Sequence, residues 1–254
     1  MRIGVTLPPG SEVGLAVAAE GVGLPVVHLS GAPGTEATIA AAVSTATTTV
    51  RVIVGIHVGD ENPVTLAEEI AVLDNLSNGR IGVIAELGSL SSDDGAEDVS
   101  LLRASWSGRA ISHRGQRWQV PAGLPGHVAP AAVMVTPPPA QLHVPLWVAG
   151  DAAAAVSTLL GLPAVANAIE DVETSSPIAP GRTTLTGDVD ADRRSVIEWS
   201  SAGTTHLLCG LGARATVEDV ARWLVPEVAM VGFPRIITET AIPAPWPRRP
   251  VPDE

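Results

Sequence analysis

The sequence predicts an α/β fold of the (β/α)8 barrel class, and three observations predict it. Eight short apolar, β-branched runs alternate with Ala-rich or amphipathic helical stretches, the pattern of parallel strands joined by helical crossovers. The stretch Asn62 to Gly88 reads as a complete helix joined by Asn-Gly to a strand, half of a βαβ unit. The length, 254 residues with 46% hydrophobic, suits one core of barrel size.

The runs read as strands are Ile3 to Leu7, Pro25 to Leu29, Val50 to Val58, Arg80 to Ala85, Leu146 to Ala149, Ala164 to Ile169, Thr183 to Thr186 and Thr204 to Cys209. Helices are expected over Glu12 to Gly21, Thr35 to Thr47, Pro63 to Leu76, Ala152 to Leu160, Asp190 to Ser201 and Val217 to Val228. The third of these is the best marked. Asn62 can cap the first-turn amides and Pro63 suits the first helical position. Leu66, Ile70 and Leu73 recur at helical spacing, with Glu68, Glu69 and Asp74 mostly opposite. Asn78 and Gly79 tolerate positive φ where the helix must stop, and Ile81 to Ala85 is apolar throughout, as a strand covered on both faces would be.

Two places break the rhythm. Glu170 to Arg182 is rich in Ser, Pro and Gly, so one barrel helix is expected to be replaced by a loop after the sixth strand. Residues 110 to 145 read as an excursion over the barrel mouth, with a hairpin in Ala110 to Val120 turning at Arg114-Gly115. The barrel domain is therefore taken as residues 1–232, followed by a Pro-rich tail over 233–254 that cannot form a helix interior.

Composition excludes several functions. A net charge of −12, with fifteen arginines and no lysine, leaves no basic patch to follow a nucleic-acid backbone, so a small-molecule partner is expected. Without lysine there is no Schiff-base chemistry and no Walker-type phosphate lysine. The single cysteine, Cys209, cannot form an intrachain disulfide, and no Cys/His spacing suggests a metal site. No run is long enough for a membrane span, and the N-terminus MRIGVTLPPG enters a strand at once without the pattern of a signal peptide; a soluble cytoplasmic protein is expected.

Several separate segments resemble one family. Val54 to Val58 and Pro63 to Arg80, including Leu73-Asp74, Leu76-Ser77 and Gly79-Arg80, match an "LAxxxAxLDxLSxGR" helix after a short apolar strand end. Leu101-Leu102, Ala104, Trp106, Gly108 and Gly115 match "LLxxxWxG" and a following hairpin. Pro137 to Gln141 and Pro145 to Gly150 match "PxPxQ, then PPxWxxG", and Ala202 to His206 matches an "aGaThl" entry into the last strand. The chain thus resembles the bacterial luciferase-like monooxygenase family of flavin- or coenzyme F420-dependent oxidoreductases, over most of residues 1 to 230. The resemblance implies a luciferase-like TIM barrel with shortened loops, use of F420 or FMN for hydride transfer or oxygen activation on a small organic substrate, and a homodimer.

The chemistry of such barrels sits at the C-terminal ends of the strands. There the chain departs from the family. Relatives often carry an acid followed by histidine after strand two, where this chain reads Ser30-Gly31-Ala32; strand four often ends in glycines, where it reads Ile84-Ala85-Glu86 with Gly88 retained. Glu86 is a candidate general acid or base with its pKa raised by an apolar mouth, against the plainer reading of an exposed loop carboxylate. His57 is the other candidate. The resemblance implies a non-prolyl cis peptide at His57-Val58 buttressing the cofactor ring, the alternative being a solvated strand-end histidine. For a cofactor phosphate the candidates are the Ala149-Gly150-Asp151 turn into the alanine helix and the Thr186-Gly187-Asp188 turn, although the Asp in each could cap its own amides.

His28 is read as a hydrogen-bonded core histidine, His206 and Cys209 as packing residues, and His113, His127 and His143 as surface residues. Asp93, Asp94, Glu97 and Asp98 read as a solvated helix start rather than a metal site. The departures at the strand ends keep a second reading open, a non-catalytic barrel without cofactor that serves as a binding or assembly module. A phosphate-sugar aldolase or isomerase is a third reading, weakened by the missing lysine.

Overall fold

A computed structural model describes residues 1–30, 34–123, 128, 130–174 and 180–227. The expected tail over 233–254, the Gly31-Ala32 positions and His127 lie outside the described residues.

Alternation of strand and helix is realised in order: β1 (Arg2–Leu7), α1 (Glu12–Gly21), β2 (Val26–Ser30), α2 (Glu36–Ala46), β3 (Arg51–His57), α3 (Pro63–Leu76), β4 (Ile81–Glu86) and α4 (Ser92–Ser105). A two-residue hairpin follows, β5 (His113–Arg114) and β6 (Gln119–Val120). Then come β7 (Leu146–Ala149), α5 (Ala153–Leu160), α6 (Ile169–Thr174), β8 (Pro180–Leu185), α7 (Val189–Ser201), β9 (His206–Leu211) and α8 (Val217–Asp219). α8 continues directly into a wide turn of π-helix over Val220–Leu224.

Seven of these strands form one parallel sheet in the order β7-β4-β3-β2-β1-β9-β8. The sheet is curled. Its two edge strands both meet the short segment 164–166, through single parallel bridges of Val148 with Ala164 and of Ala166 with Gly181. Four backbone bonds hold that segment: Val148 N to Pro163 O, Val165 N to Val148 O, Ala166 N to Pro180 O and Arg182 N to Ala166 O.

The pleat sorts side chains to two sides. Val26, Ile53, Ile84, Trp147, Ala149, Val165 and Leu208 cluster inside the curl, separate from the larger core between sheet and helices. Gly82 leaves room for Trp147, whose ring lies 3.1 Å from where a Cβ would stand.

α3 forms as its sequence dictates. Asn62 Oδ1 accepts from Val64 N at 2.9 Å, Pro63 opens the helix, and Leu66, Ile70 and Leu73 are buried on one side. Asn78 and Gly79 then take positive φ of 56° and 77° to end it. Asp74 is an exception to the expected wet face: it is fully buried and accepts from Gln141 N and Nε2 at 2.8 and 2.7 Å.

The loop expected from Glu170 to Arg182 is partly helix. Asp171 Oδ2 accepts from Asn167 N and Ala168 N, which nucleates α6, and the Glu-Asp-Val-Glu-Thr half of the segment carries none of the Pro and Gly of the other half. β8 accordingly begins at Pro180, earlier than the run Thr183 to Thr186 suggests, and so includes Arg182.

The excursion begins at the foot of the sheet, where α4 ends, reaches the mouth side at the hairpin, where Arg117 donates to Gly59 O, and returns to the foot. The Glu97 carboxylate collects Gln116 N, Arg117 N, Trp118 N and the His113 ring, and places the hairpin turn between residues 115 and 118 instead of at Arg114-Gly115. Asp98, fully buried, pairs with Arg117 and accepts from Trp118 Nε1. Glu97 and Asp98 are therefore anchors, not the solvated helix start that charge alone suggests. The chain then descends to Gln141, which bonds Ile81 O at the start of β4, because β7 must enter parallel to its neighbours.

Candidate functional site

The C-terminal strand ends surround a cavity of about 600 Å3 lined by Thr6, His28, Ser30, residues 167–169, Arg182, Thr183, Thr184, Leu208 and Gly210. β1, β2, β8 and β9 contribute, with residues 167–169 and Trp199 of α7 completing the lining. That volume falls within the range of about 300–1,000 Å3 usual for small-molecule sites.

Glu86 ends β4 and reaches inward to form an ion pair with Arg182 of β8. Neighbouring Gly55 makes the reach possible: a Cβ there would stand 3.3 Å from Glu86 Oε1. The carboxylate read as exposed is about four-fifths covered on its side chain and has a committed partner. Arg182 carries a further feature. Its Nε is buried without a hydrogen-bond partner.

His28 sits beside it, 2% exposed. Its Nδ1 lies 3.1 Å from Thr6 Oγ1 while Nε2 is buried without a partner. Burial, reinforced by the Arg182 charge, lowers its pKa to about 3, so the ring is neutral at ordinary pH. The core-histidine reading anticipated the hydrogen bond but not the cavity.

His57 turns away from this group. Its Nδ1 is 2.7 Å from Glu36 Oε1, at the start of α2. Val58 is buried and its amide donates to Glu86 O at 3.2 Å, continuing the β3–β4 ladder. The cis peptides among the described residues both precede proline, at Val120-Pro121 and Thr136-Pro137; the His57-Val58 bond expected to be cis is trans.

The two phosphate candidates differ. At Ala149-Gly150-Asp151, Gly150 has φ of 112° and the first turn of α5 has no side-chain cap, although Ala153 N donates to Gly150 O at 3.0 Å. At Thr186-Gly187-Asp188 the amides are taken: Gly187 N and Thr186 N donate to the buried Asp192 carboxylate, and Asp188 caps α7. An anion has a helix N-terminus only at the first.

The remaining candidates lie elsewhere. His206 stands at the foot, edge-on to Trp147 at 5.7 Å, and burial, with the Arg2 and Arg51 charges, lowers its pKa to about 4. Cys209 is buried and its thiol is pushed up to about 12 by burial, with Asp192 adding to the shift, which suits packing and not nucleophilic chemistry. Among the described residues no group of His, Cys, Asp or Glu could hold a metal ion. Nor is any described helix long and apolar enough to cross a membrane.

The structure thus pairs Glu86 with Arg182 and lines one cavity with Arg182, His28 and Thr6, while His57, opposite Glu86 in the β3–β4 register, has its ring committed to Glu36. Sequence reading missed Arg182 and Glu36, both distant in sequence from the residues they pair with, and no local motif marks either one.

Comparison with known proteins agrees with the resemblance read in the sequence. The luciferase-like monooxygenase family model matches residues 3–88, from β1 through the end of β4. Among solved structures, monooxygenase RslO1 from Streptomyces bottropensis is 17% identical, with 93% of this chain and 100% of that chain covered and a TM-score of 0.64. The coenzyme F420-dependent tetrahydromethanopterin reductase from Methanopyrus kandleri is 12% identical over 89% of this chain and 99% of its own, with a TM-score of 0.67. The oxygenating constituent of 3,6-diketocamphane monooxygenase from Pseudomonas putida, solved with FMN, is 11% identical over 90% and 98%, with a TM-score of 0.66. At these identities the likeness is one of fold. No curated protein sequence matches the chain.

Proposed function

We propose that this protein is a luciferase-like oxidoreductase that binds FMN or F420 at the mouth of an eight-stranded (β/α)8 barrel, with residues 163–166 as the sixth strand, and acts on a small organic substrate. The observation that carries the reading is the mouth cavity of about 600 Å3, lined by buried His28 and half-buried Arg182, each of which has one covered nitrogen without a hydrogen-bond partner, His28 Nε2 and Arg182 Nε. Buried polar groups without partners are costly, so a ligand acceptor would satisfy them.

A flat ring with carbonyl acceptors fits that set of groups. Thr6, Ser30 and Thr184 add hydroxyls, and the ion pair leaves the Glu86–Arg182 couple with no net charge facing the ring. The uncapped N-terminus of α5 at Gly150-Asp151 is the best place for a phosphate. A cofactor of this type supplies hydride transfer or oxygen activation when bound. The protein's own part is to orient the ring, exclude water and hold Arg182 by means of Glu86. His57 with Glu36 forms a separate acid/base pair on the β3 side of the mouth.

Titration with FMN and with F420, followed by cofactor fluorescence, tests the reading. Saturable quenching by one of them at micromolar concentration is expected, weakened roughly tenfold or more in Arg182→Gln through loss of a charged donor. Absence of binding by either up to high micromolar concentration would overturn it. That outcome favours the second reading, a non-catalytic binding or assembly module, which has its own support: the Glu86–Arg182 pair lies across the mouth and Asp192 occupies the Gly187 turn.

The working partner is a small molecule in the cytoplasm, and the working assembly is a homodimer. Val13 and Val17 on α1 and Val72 and Leu76 on α3 are exposed apolar residues that a second copy would cover. Sedimentation velocity is expected to show twice the chain mass of 25.9 kDa at micromolar concentration, and a single species at chain mass would contradict it.

A further inference from the structure

We infer that the foot of the sheet carries a second small-molecule site, which takes a flat organic anion: an aryl or fused ring bearing a carboxylate, sulfonate or phosphate. The site stands apart from the reading of the mouth, because the two cavities share no lining residue.

A pocket of about 470 Å3 opens where α4 ends, the chain returns from its excursion and β7 begins. That volume suits a small molecule. Trp106, Leu146 and Leu162 give it an apolar wall. Trp106 spends its indole N–H on Ala67 O at 3.0 Å, so what it offers the pocket is apolar surface. Leu142, also in the lining, is 87% exposed, an apolar side chain at the rim that no described residue covers.

The polar part of the lining is cationic. Gln141 has no free group to give, since Nε2 donates to Asp74 and to Ile81 O while Oε1 accepts from Arg51. What remains is Arg103, Arg109 and His143, all exposed, and no carboxylate lines the pocket. In a chain of net charge −12, two arginines without an acid stand out. Arg103 Nη1 donates to Leu160 O at 3.4 Å, which holds its guanidinium at the rim, where it also offsets the carbonyl end of α4. Arg109 has no such task. Gly108, with φ of 67°, turns the chain after α4, and among the described residues the Arg109 side chain meets no acceptor. An inorganic anion would leave the apolar wall unused, and a neutral ring would leave the cations unused. A ring with an attached anionic group uses both.

The test uses 8-anilinonaphthalene-1-sulfonate, whose emission rises on binding, beside N-phenyl-1-naphthylamine, the same rings without the sulfonate. Saturable binding of the sulfonate is expected, tighter than that of the neutral amine and weakened as sodium chloride is raised. The double variant Arg103→Gln, Arg109→Gln is expected to lose roughly tenfold in affinity for the sulfonate and none for the amine. Leu142→Asp, which adds a carboxylate at the exposed rim, should weaken the sulfonate too; circular dichroism checks that each variant is folded. Equal affinity for the two probes, or sulfonate binding that the double variant leaves unchanged, would overturn the inference. So would binding that weakens as protein concentration and sedimentation coefficient rise together, because a second copy would then cover the pocket. Titrating the double variant with FMN separates this site from the mouth. Retained FMN binding beside weakened sulfonate binding supports two sites, whereas loss of both assigns the flavin to the foot, which supports the pocket and removes the mouth reading.

Discussion

Arg80→Ala is expected to destabilise the protein by roughly 3 to 5 kcal/mol, measured as a lower midpoint in urea denaturation. The guanidinium donates to Ser77 O, Val50 O, Ser44 O and Thr47 O at 2.7 to 3.0 Å and to Thr47 Oγ1 at 3.0 Å. It therefore ties the end of α2, the entry to β3 and the end of α3 into one unit. Alanine would leave several partly buried carbonyls without donors, which costs more than the net worth of any single bond. Arg80→Lys should recover only a minor part, because one ammonium cannot span the same fork of acceptors. A loss below 1 kcal/mol for the alanine variant would mean that water replaces the guanidinium without cost.

A second large effect is a loss of stability on acidification from pH 6.5 downward. His28, with a native pKa of about 3, does not take up a proton that the unfolded chain takes up near its ordinary value of 6.5. Between those values the unfolded state binds more protons, so stability falls as pH falls. His206, at about 4 in the native state, acts in the same direction. For His28 the effect amounts to roughly 3 kcal/mol by pH 4. Glu97 titrates lower. Burial pushes its carboxyl up, but His113 and the amides of Trp118, Arg117 and Gln116 outweigh that and bring it to about 2, so its contribution holds above pH 4.5 and is lost only further down. Urea denaturation at pH 7, 6, 5 and 4 is expected to show a steady decline that is shallower in His28→Asn. An equal slope in that variant would show that His28 is not the group responsible.

Fold and site differ in how far they could be read from the chain. α1, α3 and β7 begin and end at the residues that capping and periodicity indicate, because those signals are local. α6 was harder to read: its start depends on Asp171 turning back to two amides, within a segment whose composition is otherwise that of a loop. The segment at 164–166, expected as a full strand from Ala164 to Ile169, makes only single bridges, and its apolar run does not reveal how short the pairing is.

The site was less legible for a physical reason. Glu86 drew notice because it replaces expected glycines, but its partner Arg182 lies 96 positions away on a strand whose start was misjudged. Thr6 and His28 come together only because β1 and β2 pair in parallel register, Thr6 opposite His28. Pairing of that kind is set by the whole sheet. His57 illustrates the converse: its position at a strand end was correct, yet its contact with Glu36 depends on how α2 packs.

The central claim is that the Thr6, His28, Glu86 and Arg182 mouth is where a cofactor ring and substrate meet. A crystal structure of the protein grown with FMN or F420 tests it most directly. The account predicts ring density in the mouth cavity, with an oxygen at hydrogen-bond distance from His28 Nε2 or Arg182 Nε. Density for the ring at another surface, with both nitrogens still unpartnered, would contradict it.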